Sequence, residues 1–115
     1  MRFKLILSSV KADITDTIVD AAKGAGATGA TIIPARGTGI HEAKTFFGLS
    51  LEAQTDIILF LVEEHLITKI LETIKKVGKF HKPGTGIAFV IPVDHVVGLE
   101  SQMEKFKEEV RKKYF

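Results

Sequence analysis

The order of apolar segments along the chain most constrains its fold, because two strand–helix–strand patterns follow one another. In the first pattern, runs suited to strands cover residues 3–10 and 30–36, and between them apolar residues recur at helical spacing from Ile14 to Ala22. A strand, a helix and a second strand therefore account for the first third of the chain.

The second pattern repeats this order after residue 55. A nearly continuous apolar run over residues 56–62 is typical of a central strand. An apolar stripe at helical spacing extends from Leu66 to Val77, and another strand is predicted over residues 86–92. The repeated order predicts an α+β fold of the ferredoxin-like double split βαβ type (βαββαβ). Both helices would cover one face of a four-stranded antiparallel sheet, and the apolar second face is expected to meet another subunit.

Residues beside the two predicted helices indicate where each begins and ends. Asp13 is placed to cap the first helix, while Glu63 and Glu64 suit the start of the second, where the helix dipole favours negative charge. Gly78 is expected to end the second helix. Residues 24–29 match G-x-G-x-x-G, but a dinucleotide site needs a strand before and a helix after this motif. The order here is reversed, so we interpret these residues as a helix end and a turn.

Two further stretches complete a single domain of residues 1–115. Residues 40–54 lack a clean period, which predicts a long exposed loop with one helical turn at most, and such loops are usually functional. Ser101 and Glu104 have capping-box spacing before a final amphipathic helix over residues 100–115.

Composition limits the partners and the compartment. The net charge of +2 is too small to indicate nucleic acid or an anionic membrane as a partner. The chain has no cysteine, which excludes disulfides, thiolate metal sites and cysteine nucleophiles, and this fits the cytoplasm. The apolar stretch at the N-terminus is too short for a signal peptide or a membrane span.

The tetrapeptide Gly-Thr-Gly-Ile occurs twice, at residues 37–40 and 84–87, each time where an apolar run meets a polar segment. Such loops bring backbone N–H groups together as anion sites, yet Gly-rich turns are also common at strand ends. Arg36 precedes the first copy, and Lys79, His81 and Lys82 precede the second. Backbone amides beside one or two cations suit a phosphate, and the alternative of solvated basic turns stays open.

The other chemistry-bearing residues indicate little. None of the four histidines has metal-site spacing, so no metal ligand is assigned. His65 and His95 are interpreted as structural, whereas His41 and His81 adjoin the Gly-rich segments and are candidate ligand contacts. No serine lies in a nucleophile-elbow context, so no catalytic residue is assigned.

Three segments in this order resemble the PII signal-transduction family. Residues 26–31 followed by Arg36-Gly37-Thr38-Gly39 resemble the family's second strand and the start of its T-loop. Residues 56–64 and the next helix resemble its third strand and second helix. Residues 84–93 with Val96-Val97 resemble its B-loop and fourth strand.

The resemblance, over residues 3–99, implies a homotrimer with an adenine nucleotide (AMP, ADP or ATP) bound as a regulatory ligand in each cleft between subunits. It implies a regulator and not an enzyme, with a T-loop-like segment at 40–54 that contacts a target such as a membrane transporter or a metabolic enzyme. Gly29 and Thr31 would lie by the adenine, and Leu61 would offer backbone to the base. The other expected nucleotide contacts are Arg36, Gly37, Thr38, Gly39, His81, Lys82, Gly84, Thr85 and Gly86, and the expected target contacts are His41, Lys44, Phe46 and Phe47.

Departures from the family pattern suggest a divergent member. The family's Arg-Gln pair is replaced by Ile40 and His41, and its lysine before the third strand has no counterpart near Asp56, which argues against 2-oxoglutarate. The family's R-x-R is replaced by residues 98–100, Gly-Leu-Glu, which weakens the case for a triphosphate. The one tyrosine, Tyr114, lies outside the loop, which excludes tyrosine uridylylation of the loop.

Two other functions stay open at this point. One is a structural or metal-responsive trimer of the cation-tolerance type, which shares this fold and does not bind nucleotide. The other is a small enzyme with His41 or His81 as acid–base, although the sequence positions no partner for either histidine.

Overall fold

The computed structural model describes residues 2–36, 44–46, 49–51 and 54–99. Short 3-10 turns, Ala12–Ile14 and Glu64–Leu66, lead into the α-helices. The strands and α-helices of the described residues are β1 (Phe3–Lys11), α1 (Thr15–Gly24), β2 (Thr31–Arg36), β3 (Lys44–Phe46), β4 (Leu49–Leu51), β5 (Gln54–Glu63), α2 (Ile67–Val77) and β6 (Gly86–Pro92).

The sheet confirms the predicted fold. Four strands lie in the order β2-β5-β1-β6, and every neighbouring pair is antiparallel. Strands β1 and β5 form the centre, and α1 packs against α2 on one face. The chain therefore has the α+β arrangement of a ferredoxin-like double split βαβ, with a helix after the first strand of each half.

The hydrophobic core lies between this sheet face and the helices. Successive side chains of a strand point to opposite faces, so every second residue of β1 and β5 meets the helices. Burial of each of these large apolar side chains stabilises the fold by about 1.5–3 kcal/mol. The buried core residues include Ile6, Val10, Ile58, Phe60 and Val62 from the sheet and Ile18, Ala22, Ile70 and Ile74 from the helices.

One polar side chain lies in this core without a hydrogen-bond partner. Ser8 is fully buried in β1, and its hydroxyl bonds to none of the described residues. A buried hydroxyl without a partner costs about 1–3 kcal/mol. We therefore expect Ser8→Ala to raise the free energy of unfolding by roughly 1 kcal/mol in urea denaturation. A loss of stability would show instead that the hydroxyl has a partner in solution, such as a buried water.

The second face of the sheet is also apolar, and no described helix covers it. Phe89 is 45% exposed and Ile87 is 60% exposed, although both lie within a strand. Partner residues across the sheet share a face, so the register identifies the rest of this surface. We call it the open face; it comprises Leu5, Leu7, Ile33, Ile57, Leu59, Leu61, Ile87, Phe89 and Ile91.

The two outer edges of the sheet differ. The N–H of Lys11 donates to Thr85 beside β6, so odd residues of β1 bond towards β6 and even residues towards β5. The same alternation of hydrogen-bonding direction continues across β5 to β2. The backbone of Pro34, the partner of Asp56, therefore faces away from the sheet, and proline has no N–H to donate there. The edge of β2 is thus interrupted. At the edge of β6, the N–H groups of Gly86, Ala88 and Val90 face away from the sheet and have no acceptor among the described residues.

The first helix begins differently from the prediction. Asp13 is not the cap of α1, because it lies inside the 3-10 turn and no side chain caps either turn or helix there. The first residue of α1, Thr15, is buried and donates its hydroxyl hydrogen to the Asp56 carboxylate at 2.6 Å. A carboxylate from β5 thus lies at the positive end of the α1 dipole. Glu63 and Glu64 also precede α2, at the start of its own turn.

The two helices end in the same motif with different residues. After α1, the N–H groups of Gly26 and Ala27 bond back into the last turn, and Gly26 has a φ of 123°. This confirms the interpretation of residues 24–29 as a helix end. After α2, Gly78 ends the helix as predicted, as its C-cap with a φ of −80°, and the residue with positive φ is Lys79, at 55°.

A β-hairpin occurs where the sequence predicted a loop with one helical turn at most. Strands β3 and β4 pair antiparallel, with Phe46 opposite Leu49. Short strands of this kind carry too few residues for their alternation to be recognised in a sequence. The predicted helix over residues 100–115 lies outside the described residues and stays a prediction.

Candidate functional site

Both glycine-containing loops leave the sheet at the same end. Strands β1 and β2 finish there, and β5 and β6 begin there, so this side of the molecule is called the loop end. The first loop follows Arg36, which is exposed. The remaining predicted contacts of this loop lie outside the described residues: Gly37, Thr38, Gly39, His41 and Phe47. Lys44 and Phe46 lie on β3.

The second loop, residues 79–85, is held together by its own backbone and by Thr85. The Thr85 hydroxyl lies 2.9 Å from the Lys79 carbonyl and 3.0 Å from the Lys82 carbonyl, and the Lys82 N–H donates to Lys79. Gly84 has a φ of 78°, a conformation that favours glycine. The Thr85 hydroxyl hydrogen is therefore used within the loop, which gives this threonine a structural role.

The same loop presents backbone donors that the chain does not use. Among the described residues, no acceptor is bonded to the N–H groups of His81, Gly84 or Thr85. His81 and Lys82 are exposed, and Gly84 and Thr85 are half-buried. Amide groups beside exposed cations form the arrangement that binds anions in other loops.

Packing around the Phe80 ring explains two glycines of this region, and no sequence pattern identifies Phe80 as a candidate. A Cβ added to Gly86 would lie 2.6 Å from the Phe80 ring and 3.0 Å from Val10. A Cβ added to Gly78 would also meet the ring. The ring thus lies between the end of α2 and the start of β6. Glycine at position 86 is accounted for by packing within the chain, without any ligand.

The residues predicted to lie by the adenine come together at the start of β2, at the end of the strand opposite the loop end. Pairing of β2 with β5 ends at Thr31 and Leu59, and continuing the register would set Gly29 opposite Leu61. The alternation of hydrogen bonds turns the backbone of Leu61 towards this unpaired position. A Cβ added to Gly29 would have no atom within 4 Å. The chain therefore leaves open space beside a backbone donor and acceptor.

Among the described residues, the loop end carries an excess of cations. The other end carries Glu63 and Glu64, whose carboxylates pair with His65 and Lys4, each at 3.3 Å. The loop end carries Asp13, Asp16 and Asp56, with Asp56 bonded to Thr15. Cations exceed these acids at the loop end: Lys11, Arg36, Lys75, Lys76, Lys79 and Lys82.

Two classes of site were sought in the described part of the chain. No group of three or more histidine and acidic side chains there is placed to hold a metal ion. Neither α-helix in residues 2–36 and 54–99 has the length and apolar character needed to cross a bilayer.

Comparison with known proteins identifies the family of this chain. The family model for nitrogen regulatory protein P-II matches residues 3–103. A search of the curated proteins found no match. The matched region includes all six described strands, both helices and both Gly-Thr-Gly-Ile segments. The chain therefore belongs to the nitrogen regulatory protein P-II family.

Proposed function

We propose that this protein is a homotrimeric regulator that binds an adenine nucleotide between neighbouring subunits and acts on a target protein through residues 40–54. Membership of the P-II family supports a regulatory protein rather than an enzyme. The observation that carries the proposal is the open position at Gly29, beside the unpaired backbone of Leu61 and on the same strand edge as Arg36.

The edge of β2 has a length suited to an extended nucleotide. The base would lie against Gly29, Thr31 and Leu61, where backbone groups recognise its polar edge. The phosphates would lie towards Arg36 and the first Gly-Thr-Gly segment. Five residues of strand separate Thr31 from Arg36, which corresponds to about 17 Å. This span matches the length of a nucleoside di- or triphosphate.

The second loop would come from a neighbouring subunit. Within one chain the loops leave opposite edges of the sheet, three strand spacings or about 14 Å apart. The open face offers a large apolar surface for association of copies, and such a surface is typical of a subunit interface. Its burial in a trimer would bring β2 of one subunit near residues 79–85 of the next.

The charges favour a nucleotide over a dicarboxylate effector. Asp56 lies at the start of β5, where the first loop returns to the sheet, and its carboxylate is bonded to Thr15. A negative group at this position would repel 2-oxoglutarate. The cations of the loop end would still attract phosphates, so AMP, ADP and ATP are the proposed ligands.

Contact with the target would fall on the segment that contains β3 and β4. Lys44, Phe46, Phe47 and His41 belong to this segment and combine charge with aromatic surface. Binding of a nucleotide where this segment joins the sheet would shift the segment between ordered and disordered states, which is a common form of switch. A cytoplasmic enzyme or the cytoplasmic side of a transporter is the proposed target.

Isothermal titration calorimetry tests the nucleotide site. We expect heat of binding with at least one of ATP, ADP, AMP and a cyclic nucleotide. We also expect Gly29→Val to weaken that binding roughly tenfold or more, or ~1.4 kcal/mol, because the new side chain fills the open position.

Gly24→Val provides the matched control, because a Cβ there also meets no atom within 4 Å but lies at the end of α1. Absence of binding to all four ligands would contradict the proposal. Thermal stability that responds to divalent metals and not to nucleotides would favour the cation-tolerance type of trimer.

A further inference from the structure

Lys11, the last residue of β1, lies beside the second loop and carries an exposed charge. It forms no ion pair with any residue in the described part of the chain. Its backbone N–H donates to the Thr85 carbonyl at 3.4 Å. The position of Lys11 is therefore fixed relative to the loop, while its ammonium group is available. Lys4, at the other end of the same strand, is paired with Glu64.

The register places Lys11 at the boundary between the open face and the loop end. Lys11 is paired with Thr55 of β5, and Thr55 is paired with Ala35 of β2. Partner residues share a face, so these three form the row that follows Ile33, Ile57 and Ile87. Strand spacings place the Lys11 backbone about 5 Å from Thr85 and about 10 Å from Ala35. Its four-carbon stem carries the ammonium group beyond the loop backbone.

We infer that Lys11 contacts a phosphate beyond the one held by the loop amides, and so sets the preference for nucleoside di- and triphosphates over monophosphates. This inference rests on the proposed nucleotide site. The N–H groups of His81, Gly84 and Thr85 are fixed by the backbone and hold the nearer phosphate. A flexible lysine acts as a point charge and reaches a further one. Lys11 differs from Lys79 and Lys82 in position, because it lies on β1 whereas they lie on the loop itself.

Titrations of AMP, ADP and ATP into the full-length protein and its Lys11→Gln variant test this role. We expect Lys11→Gln to weaken ADP and ATP binding roughly tenfold and AMP binding less than twofold, because a charge-assisted contact is lost only where a second phosphate is present. Lys11→Arg keeps the charge and should keep both affinities within about threefold. Lys23→Gln removes an exposed lysine near the opposite end of the molecule and is the control.

Each result separates the inference from the proposed function. If the wild type binds nucleotides and Lys11→Gln matches Lys23→Gln, Lys11 has no role and the nucleotide site stands. If Lys11→Gln weakened the binding of AMP, ADP and ATP equally, Lys11 would not set the preference for di- and triphosphates, and the inference would also be overturned. A wild type that binds none of the three overturns both proposals. Circular dichroism of each variant identifies any loss that comes from unfolding, and Lys11→Arg then supplies the folded comparison.

Discussion

Replacement of Phe89 by glutamate is expected to convert the proposed trimer into monomers. Phe89 lies in the edge strand β6 on the open face, where its partner across the sheet is Leu7. In an assembly that covers this face, the change would remove about 2 kcal/mol of apolar burial per subunit. It would also bury a carboxylate in a row of the sheet that contains no cation, formed with Leu7, Leu59 and Thr31. An unpaired buried charge costs several kcal/mol more.

Size-exclusion chromatography with light scattering measures the outcome. The wild type should have three times the 12.6 kDa mass of the chain, and Phe89→Glu should have the mass of one chain. Val77→Glu is a close control, because Val77 is 39% exposed against 45% for Phe89 but lies on α2, on the other side of the sheet. A Phe89→Glu protein that stays trimeric would show that the open face is not the interface.

Replacement of Gly78 by alanine should cause a large loss of stability. Gly78 is buried, and its φ of −80° is one that alanine adopts easily, so the cost comes from contacts. The added Cβ would lie 2.9 Å from Ile18 Cδ1 and 2.9 Å from the Ile74 carbonyl oxygen, and it would also meet the Phe80 ring. The backbone oxygen belongs to α2 and cannot yield. We expect a loss of about 2–3 kcal/mol.

Thermal unfolding at a fixed protein concentration should show this loss as a decrease in Tm of roughly 10–20 °C. Gly24→Ala is the control, because Gly24 ends α1 without any atom within 4 Å of an added Cβ, and alanine there should stabilise by a few tenths of a kcal/mol. Phe80→Leu combined with Gly78→Ala should recover part of the loss. Full stability of Gly78→Ala alone would contradict the tight packing around Phe80.

The periodicity of apolar residues was sufficient to predict the sheet and both helices. The strand predicted over 30–36 is observed at Thr31–Arg36, and the one predicted over 56–62 is observed at Gln54–Glu63. These segments bury one face or more, so their apolar periodicity indicates the type of element directly. The hairpin of β3 and β4 was not predicted because three-residue strands are too short to show a periodicity.

Helix ends and the contacts of the site depend on packing that no local pattern contains. Lys79 takes the left-handed conformation, and the neighbouring Gly78 lies at a crowded contact with Phe80. Asp56 and Thr15 are 41 residues apart in the sequence, so no local pattern predicts their hydrogen bond at the start of α1. Only the family resemblance predicts Gly29 and Leu61 as site residues, because their proximity depends on the register of β2 and β5.

The unequal sheet edges have a consequence for the newly made chain. Before the proposed trimer assembles, the edge of β2 is protected by Pro34. The edge of β6 presents N–H groups with no acceptor in the described part of the chain, along an uncharged apolar segment, Gly86–Pro92. Such a segment can template pairing with identical strands and lead to aggregation. Assembly would then serve solubility as well as signalling, since the partially assembled chain is the form most exposed to misassociation. A glutamate at position 89 would place a charge within that same segment, so the monomeric variant would also carry its own protection.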